Sequence, residues 1–195
     1  MYPATQRRQV LTGIQVTLWT EVKMTNMPAV EESDQATAQP VIVSPAQFLN
    51  YWQGNRRLTR RMIEAFPEDE LFSFSVGGMR PFGVLAWEIH QVSELTLSGL
   101  RTGEWPMPNW RDGTSSDRAE LLNAWDALTA RIEAELPEVD VTHYSRLHAL
   151  PWGEMSGWAA AIYNIDNEIH HRGQGYVYLR ALGIEPPMFP AYMAP

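Results

Sequence analysis

Prolines and glycines cut this chain into long segments that each carry a one-sided apolar pattern, and that punctuation constrains the fold more than any other feature. Ser44 and Pro45 open "SPAQFLNYWQGNRRLTRRMIEAF", where Phe48, Leu49, Trp52, Leu58, Met62 and Ile63 recur three or four apart until Pro67 closes the run. Side chains at that spacing share one face of an α-helix, so the segment is expected to lay one side on a core. Pro81 starts a second such segment, "PFGVLAWEIHQVSELTLSGLRTG", and Gly103 supplies the residue that readily ends a helix in the left-handed conformation. Ser115 or Ser116 is the expected cap of a third, striped by Leu121, Leu122, Trp125, Leu128 and Ile132 and closed by Pro137. The last runs from about Gly157 to Leu182, with Gly183 and then Pro186-Pro187 preventing continuation. No stretch alternates as a half-buried strand would. The expected fold is therefore all-α, an antiparallel four-helix bundle over residues 41–190.

Residues 1–40 read differently. "TNMPAVEESDQATAQP" is acidic and rich in Pro, Ala and Thr, with little to bury, so a flexible leader is expected. Met24 or Met27 is an alternative start, and "VLTGIQVTLW" an alternative short strand or helix. That apolar run imitates a secretory signal, but Gln15 interrupts it and no small-residue cleavage site follows, so a cytoplasmic protein is expected. No apolar run approaches the length of about 18 residues that a membrane span needs.

Charge and cysteine content narrow the chemistry. The formal net charge is −8 at pH 7, which argues against a nucleic-acid-binding surface, where a basic face is the rule. Arg56, Arg57, Arg60 and Arg61 form a local basic cluster, expected to be a solvated helix face. Cysteine is absent, so any metal must be held by nitrogen and oxygen, and a thiol could take part only as a ligand.

Polar groups concentrate in "YNIDNEIHHRGQGYVYLRALGIEPP". With about 100° of turn per residue, Asn164, Asn167, Gln174 and Tyr178 lie on the face of His171, whereas His170 points about 100° away. On the second helix His90 shares a face with Ala86, Trp87, Glu94 and Leu97, and a histidine in an apolar stripe needs a hydrogen bond or a ligand. His90 and His171 are thus candidate ligands, as helix bundles build metal sites from inward side chains of different helices. The ordinary alternative is a core histidine satisfied by a carbonyl or carboxylate. His143 and His148 fall in a loop, as surface or hinge residues.

"VLAWEIHQVSE", "LPWGEMSGW" and "NEIHHRGQGYVYLRALGIEPP" together resemble the DinB-like (DinB/YfiT) family over residues 44–188. The resemblance implies an up-down-down-up four-helix bundle, usually dimeric, with a divalent ion such as zinc or nickel on three histidines. His90 matches the first ligand and His171 the last, but Asn167 stands where the family has its middle histidine. An amide oxygen is a harder, weaker donor than imidazole. Three outcomes stay open: Asn167 ligates through oxygen, Glu168 rotates in, or the site holds metal weakly or not at all.

The resemblance further implies metal-assisted thiol transfer or hydrolysis on a small molecule, with a low-molecular-weight thiol as partner, the open coordination positions of such an ion taking water or the thiolate. Glu94 or Glu168 would orient a ligating histidine, and Arg172 and Gln174 would tie the last helix to its neighbours. The competing reading is a non-catalytic bundle with a degenerate site, serving as a binding or stress-response module. Trp- and Met-rich surfaces of the first and third helices would supply a homodimer contact.

Overall fold

The computed structural model describes residues 43–110 and 114–193. The expectations for residues 1–40 lie outside that range. Four long helices carry the fold: α1 (Pro45–Ala65), α2 (Phe82–Thr102), α3 (Arg118–Glu135) and, after a short α4 (Val141–Ser145), α5 (Gly157–Ala181). No helix among the described residues is long and apolar enough to cross a membrane.

Local chemistry sets the ends. The Ser44 hydroxyl accepts from the Gln47 backbone N–H at 3.2 Å while the Gln47 side chain accepts from the Ser44 N–H at 2.9 Å, a reciprocal capping box with Pro45 in the first turn. Gly103 ends α2 at φ 78°, returning its N–H to the Gly99 carbonyl. The cap of α3 is Asp117, whose carboxylate accepts from Glu120 N at 3.0 Å, rather than Ser115 or Ser116. Ser115 still contributes, because its hydroxyl accepts from the Asp117 N–H at 3.0 Å. Ser156 caps α5 through Ala159 N at 3.1 Å.

Cross-helix bonds give the directions. Phe66 and Arg60 of the α1 end meet Arg118 and Asp126 of α3, so these two run antiparallel. Glu94 and Arg101 of α2 pair with Arg131 and Glu135 of α3, which makes them parallel. Ser93 meets Asn164 and Glu88 meets His171, so α2 and α5 are antiparallel. The order is up-down-down-up, with α2 against both α3 and α5.

The core forms two apolar layers. Near one end Trp52, Leu97, Ile132 and Ala161 are buried together, and near the other Phe66, Phe82, Trp125 and Tyr178. Phe66 and Phe82 stack with centroids 4.9 Å apart. Each such side chain contributes about 1.5–3 kcal/mol on burial.

Polar chemistry lies among these layers. Arg56 is fully buried, correcting the expected solvated face: its Nε donates to Thr129 Oγ1 at 2.8 Å, its Nη2 to the Trp125 carbonyl at 2.9 Å, and its guanidinium lies 4.2 Å from the Trp125 ring centroid. Burial lowers its pKa to about 10. Arg60 keeps the expected role, clamping Asp126 at 2.6 and 2.9 Å on the surface.

A short hairpin departs from the helix-only expectation. β1 (Leu147–Leu150) pairs antiparallel with β2 (Gly153–Ser156), His148 opposite Met155. His143 belongs to α4, its Nδ1 lying 2.6 Å from the Leu100 carbonyl, and His148 Nε2 lies 2.9 Å from the His143 carbonyl. With His148 buried, the expected surface or hinge histidines are instead pins that fix the hairpin to α2.

Candidate functional site

Helical arithmetic on α2 separates the candidate residues. Glu88 and His90 are two positions apart, hence about 160° apart around the axis. Because α2 sits between α3 and α5, side chains of those two directions reach different neighbours.

Glu88 faces α5. His171 Nε2–H donates to Glu88 Oε1 at 2.9 Å, and the Asn167 amide Nδ2 approaches the same oxygen at 3.5 Å. The His171 side chain is 7% exposed and that of Glu88 22%, so the bond lies at the inner edge of the seam. The other carboxylate oxygen pairs with Arg80 Nη1 at 2.5 Å. The hydrogen bond from His171, aided by Arg80 and opposed by burial, lowers the Glu88 pKa to about 2. The carboxylate is therefore ionised at neutral pH.

Two atoms of this cluster are left over. Asn167 Oδ1 and His171 Nδ1 are buried with no partner among the described residues. An unpaired buried polar atom costs about 1–3 kcal/mol, so such a pair beside an ionised carboxylate marks a place where something else can bind. One turn along α5, Asn164 Oδ1 accepts from the Ser93 hydroxyl at 3.0 Å, extending the polar seam.

Of the residues named from the sequence, the fold brings Asn167 and His171 together and sets His90 on the far side of α2. The His90 ring stands edge-on to Trp87, centroids 5.5 Å apart, facing α3 and residues 106–109. Burial, with Arg56 nearby, lowers its pKa to about 4. Glu94 engages Arg131 with both oxygens at 2.7 Å and bonds no histidine.

Glu168 points away from the seam, fully buried, accepting from Thr59 Oγ1 at 2.6 Å with Arg172 Nη1 at 3.6 Å. Arg172 also donates to Asn55 Oδ1 at 2.7 Å, tying α5 to α1 as expected. Gln174 lies 3.0 Å from His170 on the exposed side.

Glu88 is the residue that sequence reasoning missed. Its only signal was position, two residues before the candidate histidine and thus on the opposite side of the same helix. It opens onto a cavity of about 300 Å³ lined by Phe72, Arg80, Val84, Trp87 and Trp110.

The donor types suit a small divalent ion. One imidazole, one carboxylate and one amide oxygen form a mixed N/O set of the kind that zinc, nickel and manganese accept. The buried Asn167 Oδ1, an acceptor with nothing to accept, is the observation that fits. Among the described residues no three His, Asp or Glu side chains form such a group by themselves.

The model of the DinB family matches residues 33–194. Two solved structures share the fold. A DinB-like protein from Bacillus cereus ATCC 10987 is 23% identical with a TM-score of 0.60, the match covering 73% of this chain and 95% of that one. A DinB-like protein from Bacillus subtilis is 20% identical with a TM-score of 0.60, covering 73% and 96%. No curated protein matches the chain.

Proposed function

The chain belongs to the DinB family, and from that premise we propose that it is a metal-dependent enzyme acting on a small molecule at the α2–α5 seam, with Glu88, Asn167 and His171 in place of a three-histidine set. What carries the reading is the convergence of His171 and Asn167 on Glu88 Oε1 beside the unpartnered Asn167 oxygen. His171 Nε2, Glu88 Oε1 and Asn167 Oδ1 would hold the ion, in competition with the proton now shared by His171 and Glu88. A bound divalent ion at an open site lowers the pKa of a coordinated water or thiol.

The protein's own residues do the rest. The hydrogen bond from His171, with Arg80 on the other oxygen, keeps Glu88 ionised at neutral pH, so the carboxylate is available as an anionic donor to an ion. His171, fixed by Glu88, presents one nitrogen in a set orientation. Trp87, Trp110 and Phe72 wall the adjoining cavity, and Arg80 can meet an acidic group on the substrate. A thiol-transfer or hydrolysis reaction with a low-molecular-weight thiol is the reaction class consistent with a chain that has no cysteine.

A second reading is a non-catalytic small-molecule binding module. The Arg80 guanidinium beside Glu88 favours it, because a fixed positive charge opposes a cation there.

Elemental analysis decides between them. The untagged protein, incubated with zinc or nickel and desalted, is expected to retain near-stoichiometric metal. Glu88→Ala and His171→Ala should lose it with helicity intact, whereas His90→Ala should keep it. Failure of the wild type to retain either ion would leave the binding-module reading.

A further inference from the structure

On the α3 side of α2 lies a second cavity, of about 400 Å³, which shares Trp87 and Gln91 with the cavity beside Glu88 and is otherwise walled by different residues. Trp87, His90, Glu94 and Ser98 line it from α2, Ala124 from α3, and Pro106 and Met107 from the segment after α2. Its lining is mainly apolar, and its volume falls in the range of about 300–1,000 Å³ typical of small-molecule sites.

The walls are fixed in place. Trp105 is buried with its ring lying on the Gly99 backbone, so close that any Cβ at Gly99 would collide with it. That contact anchors the segment carrying Pro106 and Met107. At the other end the Trp87 indole N–H donates to the Ser115 carbonyl at 2.7 Å, which holds the ring in position. Both anchors are backbone-level, so the cavity exists before anything enters it.

One polar group in this wall is unexplained. His90 Nδ1 is buried and finds no partner among the described residues. Of the charges nearest to it, Glu94 is held by Arg131, and Arg56, which does not line the cavity, donates to Thr129 and the Trp125 carbonyl. An unpartnered imidazole nitrogen in a mainly apolar wall offers one hydrogen bond to a ligand.

We infer that this cavity is a binding site for an uncharged, largely apolar ring compound carrying a single hydrogen-bonding group that meets His90. The one carboxylate in the lining, Glu94, is already paired with Arg131, so a charged ligand would be desolvated without a dedicated partner. Neither Glu88 nor His171 lines the cavity, so a ligand there would not touch the side chains of the seam.

The test uses N-phenyl-1-naphthylamine, an uncharged ring compound with one N–H whose fluorescence rises in apolar surroundings, and 1-phenylnaphthalene, which lacks the N–H. The amine is expected to bind the full-length protein saturably at one site, and more tightly than the hydrocarbon. His90→Phe should weaken the amine by about fivefold and bring the two probes level, the loss expected for one neutral hydrogen bond. Ala124→Phe, which fills the cavity, should abolish binding, and Ser98→Phe does the same from α2 if the first variant fails to fold. Glu88→Gln and His171→Ala should leave binding unchanged. Absence of saturable binding overturns the inference. So does binding that survives both filling variants, that Glu88→Gln removes, or that favours neither probe in the wild type.

Discussion

His171 donates Nε2–H to Glu88 across the α2–α5 seam at 2.9 Å, and Arg80 holds the other oxygen of the same carboxylate. A carboxylate held in this way is easier to ionise in the folded protein than in the unfolded chain. Its contribution has a definite pH signature. The folded pKa of about 2 lies below the ordinary value of 4.5, so the stabilisation is complete above pH 4.5 and disappears as pH falls through 2.

Glu88→Gln should therefore cost about 2 kcal/mol at neutral pH, the usual size for hydrogen bonds to a charged group. The gap between wild type and variant should close on acidification through that window. Urea unfolding of both proteins at several pH values measures it. A gap of constant size from neutral pH to pH 3 would mean that the Glu88 charge is not what the fold uses.

His90 gives the complementary case. Its folded pKa of about 4 is below the ordinary 6.5, mainly through burial, with Arg56 and Arg131 adding repulsion and Glu94 opposing it. Between those values the unfolded chain takes a proton that the folded protein refuses, so stability falls as pH drops from 6.5 to 4. After a discount for partial exposure the loss is about 2 kcal/mol. His90→Phe should flatten the pH dependence in that interval, whatever it does to absolute stability. A slope equal to that of the wild type would show that His90 protonates freely when folded.

These two residues also show where the sequence stopped being legible. Ser44, Pro45 and Gly103 act through neighbours in the chain, so their roles could be read directly. Asp117 displaced the two expected serines because three potential caps stand in a row and only backbone geometry chooses among them. The hairpin at 147–156 was missed because each strand is only four residues long, too short for alternation to register. For the site, Asn167 and His171 were legible from their spacing on one helix. The partner from α2 was not: Glu88 and His90 are both polar residues on an apolar helix, and which side meets α5 is set by packing. Arg56 was misread with its neighbours, although it sits one turn after Trp52 and one before Thr59, both buried.

The buried charges predict the largest stability effect. Glu168 is the only carboxylate against Arg172 in this part of the described core, with Thr59 donating to it. Burial raises its pKa, and the nearby guanidiniums of Arg172 and Arg56 oppose that rise. Glu168→Ala leaves the buried Arg172 without its ion-pair partner and removes one of the carboxylates near Arg56, and should cost about 3–5 kcal/mol. The double change Glu168→Leu with Arg172→Met removes both members of the closest pair and should cost less than Glu168→Ala alone. Chemical denaturation of the three proteins checks the order. A double variant less stable than Glu168→Ala would mean that the ion pair contributes more than its desolvation costs.

Backbone geometry at Gly99 bears on the second cavity. A Cβ at Gly99 would lie 2.3 Å from the nearest Trp105 ring atoms, in the middle of a rigid indole that packs on α2. Trp105 has little room to rotate away, because it is buried and its ring also packs on His148, centroids 5.6 Å apart. Gly99→Ala should then push the segment after Gly103 outward, at a cost of about 1–3 kcal/mol. An alanine within a helix would by propensity alone stabilise by about 1 kcal/mol, so the sign of the change reports the collision directly. The same displacement should weaken N-phenyl-1-naphthylamine, since Pro106 and Met107 move with Trp105. A stabilised Gly99→Ala that binds the amine as the wild type does would show that Trp105 does not anchor this wall, and the cavity would then have to be held by Trp87 and Ser115 alone.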